Sequence, residues 1–249
     1  MLKNLINVKN VSKKFRLYHE KRTTLYESIT GSIKRNSNYE TLQVLENISF
    51  DVKKGESFGI VGRNGSGKTT LLRILSHIYQ PDGGSVETNG TVVPVLALGL
   101  GFHPELTAIA NIYQSSILLG ISKKQIAERI DDIIKFAGLE KFADTKIKNF
   151  SSGMSMRLAF ATAVQVDPAV LLLDEVIAVG DINFQKKCLK VMEDFKKRGK
   201  SIVLVSHNPA DVQLLCDRAI FLKDGHIDSI GKTSDVLDSY KKYMSTLEA

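Results

Sequence analysis

Gly62-Arg63-Asn64-Gly65-Ser66-Gly67-Lys68-Thr69-Thr70 satisfies G-x-x-x-x-G-K-[ST] at every fixed position. Glycines at these places let successive backbone N–H groups turn inward around a polyphosphate. Lys68 adds a point charge for the β and γ groups, and the Thr69 hydroxyl can ligate Mg²⁺. The flanks match what such a loop requires. Ser57-Phe58-Gly59-Ile60-Val61 reads as a short buried strand, and Leu71-Leu72-Arg73-Ile74-Leu75 continues in helical spacing without a breaker. The bland alternative, a glycine-rich turn that matches by chance, does not explain a strand before the loop and a helix after it.

Working outward, Leu5 to Val11 and Leu42 to Val52 read as strands of one sheet, the first an edge or hairpin strand. Between them lies a polar, basic insertion, 18–40. Within it Leu25, Ile29 and Ile33 repeat at helical spacing, flanked by Lys21, Arg22, Lys34 and Arg35. This stripe suits an amphipathic helix, packed on its own domain or set against a membrane surface or membrane partner. Downstream, Tyr79 to Gly84 is a turn cluster, and alternation through Val86 and Val92 to Val95 predicts a second small sheet segment. From Gly99 a loop leads into helical spacing over Leu106–Ile121 and Lys123–Phe142, so 98–165 reads as an all-helical insert. Ala169-Val170-Leu171-Leu172-Leu173 and Ser201-Ile202-Val203-Leu204-Val205 are continuous apolar runs, as in central parallel strands. Phe184 to Lys197 is helical by pattern, Ile220-Phe221-Leu222 is a further strand, and Ser234 to Leu247 is a helical tail. The expectation is an α/β chain of βαβ units wound around a parallel sheet.

The bulk numbers fit that expectation. In 249 residues, 43% hydrophobic and 24% charged is ordinary globular composition, and a formal charge of +7 points to an anionic partner: nucleotide, nucleic acid or membrane surface. Cys188 and Cys216 form no C-x-x-C pair, which argues against a disulfide framework or structural zinc and for a reducing compartment. No signal-peptide core stands at the N-terminus. The longest apolar run, Thr91 to Leu100, is too short to span a bilayer. A cytoplasmic protein is expected, with any membrane role coming through a partner.

Cleaving a terminal phosphoryl group needs positioning and charge neutralisation more than covalent help. The apolar run ending at Leu173 is followed by Asp174-Glu175, and the next by Ser206-His207. Asp174 can hold Mg²⁺ beside Thr69, Glu175 can polarise the attacking water as general base, and His207 can sense or stabilise the γ-phosphate. The bland alternatives are a solvated strand end for the acidic pair and a core histidine for His207. Convergence of three strand ends on one crevice favours the chemical reading.

The order of the phosphate loop, Phe150-Ser151-Ser152-Gly153-Met154, Leu171-Leu172-Leu173-Asp174-Glu175 and Val203-Leu204-Val205-Ser206-His207 resembles an ABC transporter ATP-binding subunit over nearly the whole chain. The resemblance implies a P-loop NTPase fold with a RecA-like parallel-sheet core (1–97 and 166–249), an antiparallel β subdomain and a helical subdomain at 98–165. It implies ATP and Mg²⁺ as cofactors, and Phe15, or nearby Tyr18, as the aromatic that stacks on adenine. It also implies a homodimer, in which Ser151, Ser152 and Gly153 close on the ATP held by Gly62 to Thr70 of the other copy, and Asp181 lies in the loop that signals between sites. Two departures stand out: Ser152 and Met154 replace the usual glycine and glutamine of the signature, and Leu98 to Thr107 carries no coupling-loop glutamine.

Those departures, with Gly101-Phe102-His103-Pro104-Glu105-Leu106-Thr107 and the long basic insertion, are similar to the branch that exports finished lipid-linked polysaccharides such as O-antigens, capsules and teichoic acids. This resemblance implies two transmembrane permease subunits as partners, a lipid-linked glycan as cargo, a peripheral position on the cytoplasmic face of the inner membrane, and no nucleic acid. A carbohydrate-binding domain, which some members add after the ATPase, is not expected in a chain ending at Ala249. The competing readings are an exporter of another substrate such as teichoic acid, a soluble ABC ATPase acting on nucleic acid or ribosomes, and a small-molecule kinase using the same loop.

Overall fold

The computed structural model describes residues 4–18, 39–95, 102–174 and 181–248. Strands β1 (Asn4–Tyr18) and β2 (Tyr39–Lys53) pair antiparallel, and β3 (Ser57–Val61) leads through the glycine-rich loop into α1 (Lys68–Leu75). Strands β4 (Gly83–Thr88) and β5 (Val92–Val95) follow. The helices α2 (Ala108–Leu118), α3 (Lys123–Ala127), α4 (Ile130–Ala137) and α5 (Ser152–Gln165) come next. The chain then alternates β6 (Val170–Asp174), α6 (Ile182–Lys197), β7 (Ser201–Val205), α7 (Pro209–Leu215) and β8 (Arg218–Lys223). It ends with β9 (His226–Lys232) and α8 (Thr233–Glu248). A three-stranded sheet has the order β2-β1-β4, and a six-stranded sheet the order β5-β6-β7-β3-β8-β9.

The apolar runs become central strands because both faces of the larger sheet are covered. Along β6, Leu171 and Leu173 enter one core cluster while Val170 and Leu172 enter another, and β7 divides Ile202 and Leu204 from Val203 and Val205 in the same way. Helices α5, α6 and α8 supply Phe160, Phe184, Phe195, Leu237 and Tyr240 to the first face. The second face meets Leu71, Leu72 and Leu75 of α1 together with Ile6, Val8, Leu45 and Ile48 of the smaller sheet. A third cluster lies among the helices, where Ile112, Ile126, Ile133, Ile134 and Leu158 meet. Side-chain caps set the helix starts: Ser122 and Gln125 form a reciprocal capping box on α3, and Asn208 caps α7 with Pro209 in its first turn.

Three expectations need correction. Of the two readings of the first strand, β1 does pair antiparallel with the next strand, β2, as in a hairpin, but it is not an edge strand, because β4 pairs with its other side. Val86 and Val92 to Val95 do not form one second sheet segment: β4 pairs with β1, whereas β5 runs parallel to β6, its alternate valines covering the end of the larger core. The larger sheet is not wholly parallel, as β9 pairs antiparallel with β8 through the Asp224-Gly225 turn. The strands also claim Tyr18, Tyr39 and Glu40 from the 18–40 insertion. The stripe Leu25, Ile29, Ile33 lies outside the described residues. Cys188 and Cys216 are free and buried, and burial pushes the Cys188 thiol up to about 12, so neither is a reactive nucleophile. Among the described residues, no helix is long and apolar enough to cross a membrane.

At the entrance to β3 the carboxylate of Glu56, only 8% exposed, accepts from Lys53 N (2.7 Å) and from Arg218 Nη1 (3.0 Å). The same guanidinium lies over the Phe58 ring, which stacks on Phe50. Removing the cation strands a buried carboxylate. Arg218→Met is therefore expected to destabilise the chain by about 2–3 kcal/mol in urea unfolding, more than loss of an exposed ion pair would.

Candidate nucleotide site

β3 is buried along its whole length and lies between β7 and β8, parallel to both. Its C-terminal end delivers Gly62 to Thr70 to the edge of the sheet where parallel strands present their carboxyl ends. A Cβ on Gly62 would lie 2.3 Å from the Leu222 carbonyl oxygen, so only glycine lets the loop leave the strand here. Gly67 has φ +102, and a Cβ there would meet Leu45 Cδ2 at 2.7 Å and the Val44 carbonyl at 2.9 Å. Lys68 is 6% exposed; its ammonium donates to the carbonyls of Gly62 (2.7 Å) and Arg63 (2.8 Å). Those carbonyl oxygens hold the cation inside the loop.

Helix α1 begins at this loop. Its N-cap is Gly67, with no side-chain cap and no acidic residue in the first turn. Every other α-helix start that bears a named side-chain cap uses Ser, Thr, Asp or Asn: Thr107, Ser122, Ser151, Asp181 and Asn208. The first-turn N–H groups of α1 thus meet a backbone nest and a buried ammonium, the donor set for a polyphosphate.

The sheet register places the remaining candidates. Asp174 pairs with Val205, and Val205 with Ile60, so the ends of β6, β7 and β3 lie in line. Asp174 is half-buried at its strand end. His207, two residues beyond Val205, is exposed, so it is not the core histidine of the bland alternative. Ser206 N donates to the Ile60 carbonyl at 3.3 Å, and the Ser206 hydroxyl engages Asp211 (3.2 Å) and accepts from Asn208 N (3.0 Å). These bonds tie the turn carrying His207 to the strand carrying the loop. Thr69 is exposed on the first turn of α1. Glu175 and the stretch to Gly180 lie outside the described residues, as do Leu98 to Gly101 of the coupling-loop stretch.

Ser151, Ser152 and Gly153 open α5. The Ser151 hydroxyl accepts from Met154 N at 3.2 Å, and Ser151 and Ser152 are exposed. A Cβ on Gly153 would meet nothing nearer than Ser151 Oγ at 3.9 Å. Among the described residues, nothing asks for a glycine there. Asp181 is the N-cap of α6, its Oδ1 accepting from Phe184 N at 2.9 Å. Phe15 packs edge-on to Tyr79 (5.7 Å between centroids), with the Lys13 ammonium 5.5 Å from its ring centre. Asp82 holds this corner: it accepts from Lys14 N (2.6 Å) and Lys13 Nζ (3.2 Å), and these donors hold its carboxyl below the usual range. Tyr18 is 72% exposed, tilted against Tyr39.

Sequence reasoning read the strand Ile220-Phe221-Leu222 and the Asp224-Gly225 turn after it, but neither their pressure on the loop nor β9. The Leu222–Gly225 turn presses on the loop, and β9 supports it. The alternating exposure of His226–Lys232 is visible as a pattern in the sequence, but the Leu222 contact is purely tertiary.

A phosphate loop between a buried strand and an uncapped helix, at the carboxyl edge of a parallel sheet, defines a nucleotide-binding P-loop domain. Residues 45–178 match the family model described as ABC transporter. The chain is 41% identical over 246 residues to the O-antigen export system ATP-binding protein RfbB of Klebsiella pneumoniae, covering 97% of this chain and 99% of that protein. It is 36% identical to the teichoic acids export ATP-binding protein TagH of Bacillus anthracis over 96% of this chain and 43% of TagH. A dimeric bacterial ABC transporter cassette of known structure superposes with a TM-score of 0.73 at 25% identity, over 92% of this chain and 98% of its own. This chain belongs to the ABC transporter family, and its P-loop domain is an ATP-binding, ATP-hydrolysing cassette.

Because the Gly67 backbone is left-handed and hemmed in by β2, Gly67→Ala should raise the dissociation constant for ATP at least about tenfold in calorimetric titration. Lys68→Ala should weaken ATP binding as well, without the backbone strain; a normal affinity in that variant would count against the loop as the phosphate site.

Proposed function

We propose that the chain is the ATP-hydrolysing motor subunit of an ABC transporter that exports a lipid-linked polysaccharide, an O-antigen-like glycan, across the cytoplasmic membrane. The observation that carries this reading is the end-to-end correspondence with the O-antigen export ATP-binding protein. The cassette geometry supports it. Lys68 and the first-turn N–H groups of α1 bind the β and γ phosphates. Phe15, or Tyr18 further along the same strand, stacks on adenine. His207 sits where the end of β7 can hold the γ-phosphate, and Glu175 orients and deprotonates the attacking water.

Thr69 and Asp174 offer a hydroxyl and a carboxylate oxygen, hard donors that suit Mg²⁺ when phosphate oxygens and water complete its shell. Among the described residues no group of three or more His, Cys, Asp or Glu forms a self-sufficient metal cage, in keeping with a metal held jointly by protein and nucleotide. When bound, Mg²⁺ neutralises charge between the β and γ phosphates.

The second copy enters through the signature. Gly153 has space around it and Ser151 and Ser152 face outward, which fits a loop shaped to meet another molecule's phosphate. In this reading two copies sandwich ATP, with Ser151, Ser152 and Gly153 of one closing on Gly62 to Thr70 of the other and Asp181 at their junction. Two permease subunits carry the glycan and hold the pair at the cytoplasmic face of the membrane. The domain division into 1–97 with 166–249, and 98–165, then separates the nucleotide core from the segment that meets the permease. Teichoic acid is the second cargo reading, favoured by the relatives named for it.

Glu175→Gln should leave ATP affinity within about twofold of the parent but abolish phosphate release, because water activation is lost while the phosphate contacts remain. Size-exclusion chromatography with ATP should then show a persistent dimer. In cells, co-expressed with its permease, that variant should stop the glycan reaching the surface. Undiminished surface glycan would overturn the motor assignment.

A further inference from the structure

Helix α8 is fixed at its start by Thr233, whose hydroxyl donates to the Cys216 carbonyl at 2.8 Å, and by Val236, Leu237 and Tyr240 in the core. Its next turn brings Tyr243 to β8. The Tyr243 ring lies 5.5 Å from the Phe221 ring, centre to centre, and the Lys223 ammonium sits 4.6 Å from its own centre. Phe221 and Lys223 are the neighbours of Leu222 on both sides, and alternate side chains of a strand share a face. Tyr243 therefore grips β8 on one face at the two positions that bracket Leu222.

On the other face Leu222 meets the phosphate loop. Its carbonyl oxygen occupies the space beside Gly62, its Cδ2 lies 3.5 Å from where a Cβ on Gly67 would be, and Gly225 N donates to the Ser66 carbonyl at 3.3 Å. The outer limb of the loop, Arg63 to Gly65, is exposed. A cavity of about 180 Å³ lies there, lined by Arg63 to Ser66, Leu222 to Asp224 and Tyr243. The contacts of Tyr243 with Phe221 and Lys223 connect the helix to the loop through the strand. Arg63 still lies close enough for its charge to oppose the burial that raises the Tyr240 phenol.

We propose that Tyr243 is a positioning residue for ATP binding: by clamping Phe221 and Lys223 it fixes the Leu222 carbonyl against Gly62 and so sets the spacing of the phosphate loop. This rests on the reading of Gly62 to Thr70 as the ATP loop. Relaxing the clamp frees the strand end by a fraction of an ångström. The cost falls on the grip of the backbone donors on the phosphates, while the groups at the ends of β6 and β7 stay where they are.

The test compares Tyr243→Ala, Tyr243→Phe and Met244→Ala in the full chain, with ATP affinity by isothermal titration and turnover by phosphate release. Tyr243→Ala should raise both the dissociation constant and KM for ATP about fivefold to tenfold, with kcat within about twofold. Tyr243→Phe keeps the ring between Phe221 and Lys223 and should restore the parent values. Met244, packed against the same core from the same helix, serves as the stability control, and its truncation should leave KM unchanged. An unchanged affinity in Tyr243→Ala, an equal rise in Met244→Ala, or failure of Tyr243→Phe to restore affinity would overturn the proposal. Lys68→Ala separates the two levels. If it binds ATP normally, the loop assignment itself fails; if it loses ATP while Tyr243→Ala does not, only the clamp fails.

Discussion

The contact between Gly62 and the Leu222 carbonyl is the constraint on which the rest of the nucleotide site depends. A side chain on Gly62 would overlap that oxygen, so the close approach of the loop to β8 exists only because the residue has no Cβ. From that approach follow the inward turn of the loop, the burial of Lys68 against the carbonyls of Gly62 and Arg63, and the uncapped start of α1. The sheet order then completes the site. With β7 on one side of β3 and β8 on the other, the candidates for metal and γ-phosphate contact come from β6 and β7, and the mechanical support comes from β8.

Much of this was legible in the chain itself, and for identifiable reasons. A phosphate loop needs particular residue types at fixed spacing, so Gly62 to Thr70 could be read without tertiary information. The central strands were legible because burial on both faces demands unbroken apolar runs, as in β6 and β7. Elements whose partners lie far off in sequence were harder to read. Val92 to Val95 has the alternation of a half-buried strand, and nothing local says that its neighbour is β6 and not β4. The antiparallel β9 hides behind a polar, alternating stretch that resembles a solvated loop.

The site divides along the same line. Residues whose proposed roles rest on their own chemistry, Lys68 for phosphate and Thr69 for Mg²⁺, announce themselves in the sequence. Residues that act by position, Leu222 through its backbone carbonyl and Tyr243 through its ring, do not, because those contacts are tertiary. Asp181 shows the converse: its helix-capping bond would by itself account for an aspartate there, so local structure neither requires nor opposes its role between copies.

The two long strands of the smaller sheet have a mechanical consequence. β4 accompanies β1 only as far as Ser12, whereas β1 and β2 stay paired out to Tyr18 and Tyr39. Beyond Lys14, where Asp82 holds it, β1 continues for four described residues, Phe15 to Tyr18, roughly 13 Å at the usual rise per residue. Asp82 is its fulcrum, and Phe15 sits between fulcrum and tip. A tilt of about 10° about that point would sweep Tyr18 through roughly 2 Å, several times the movement at the Phe15 ring. Over its described length the ribbon is a lever, with the nucleotide's expected stacking partner near its pivot and Tyr18 and Tyr39 farther out.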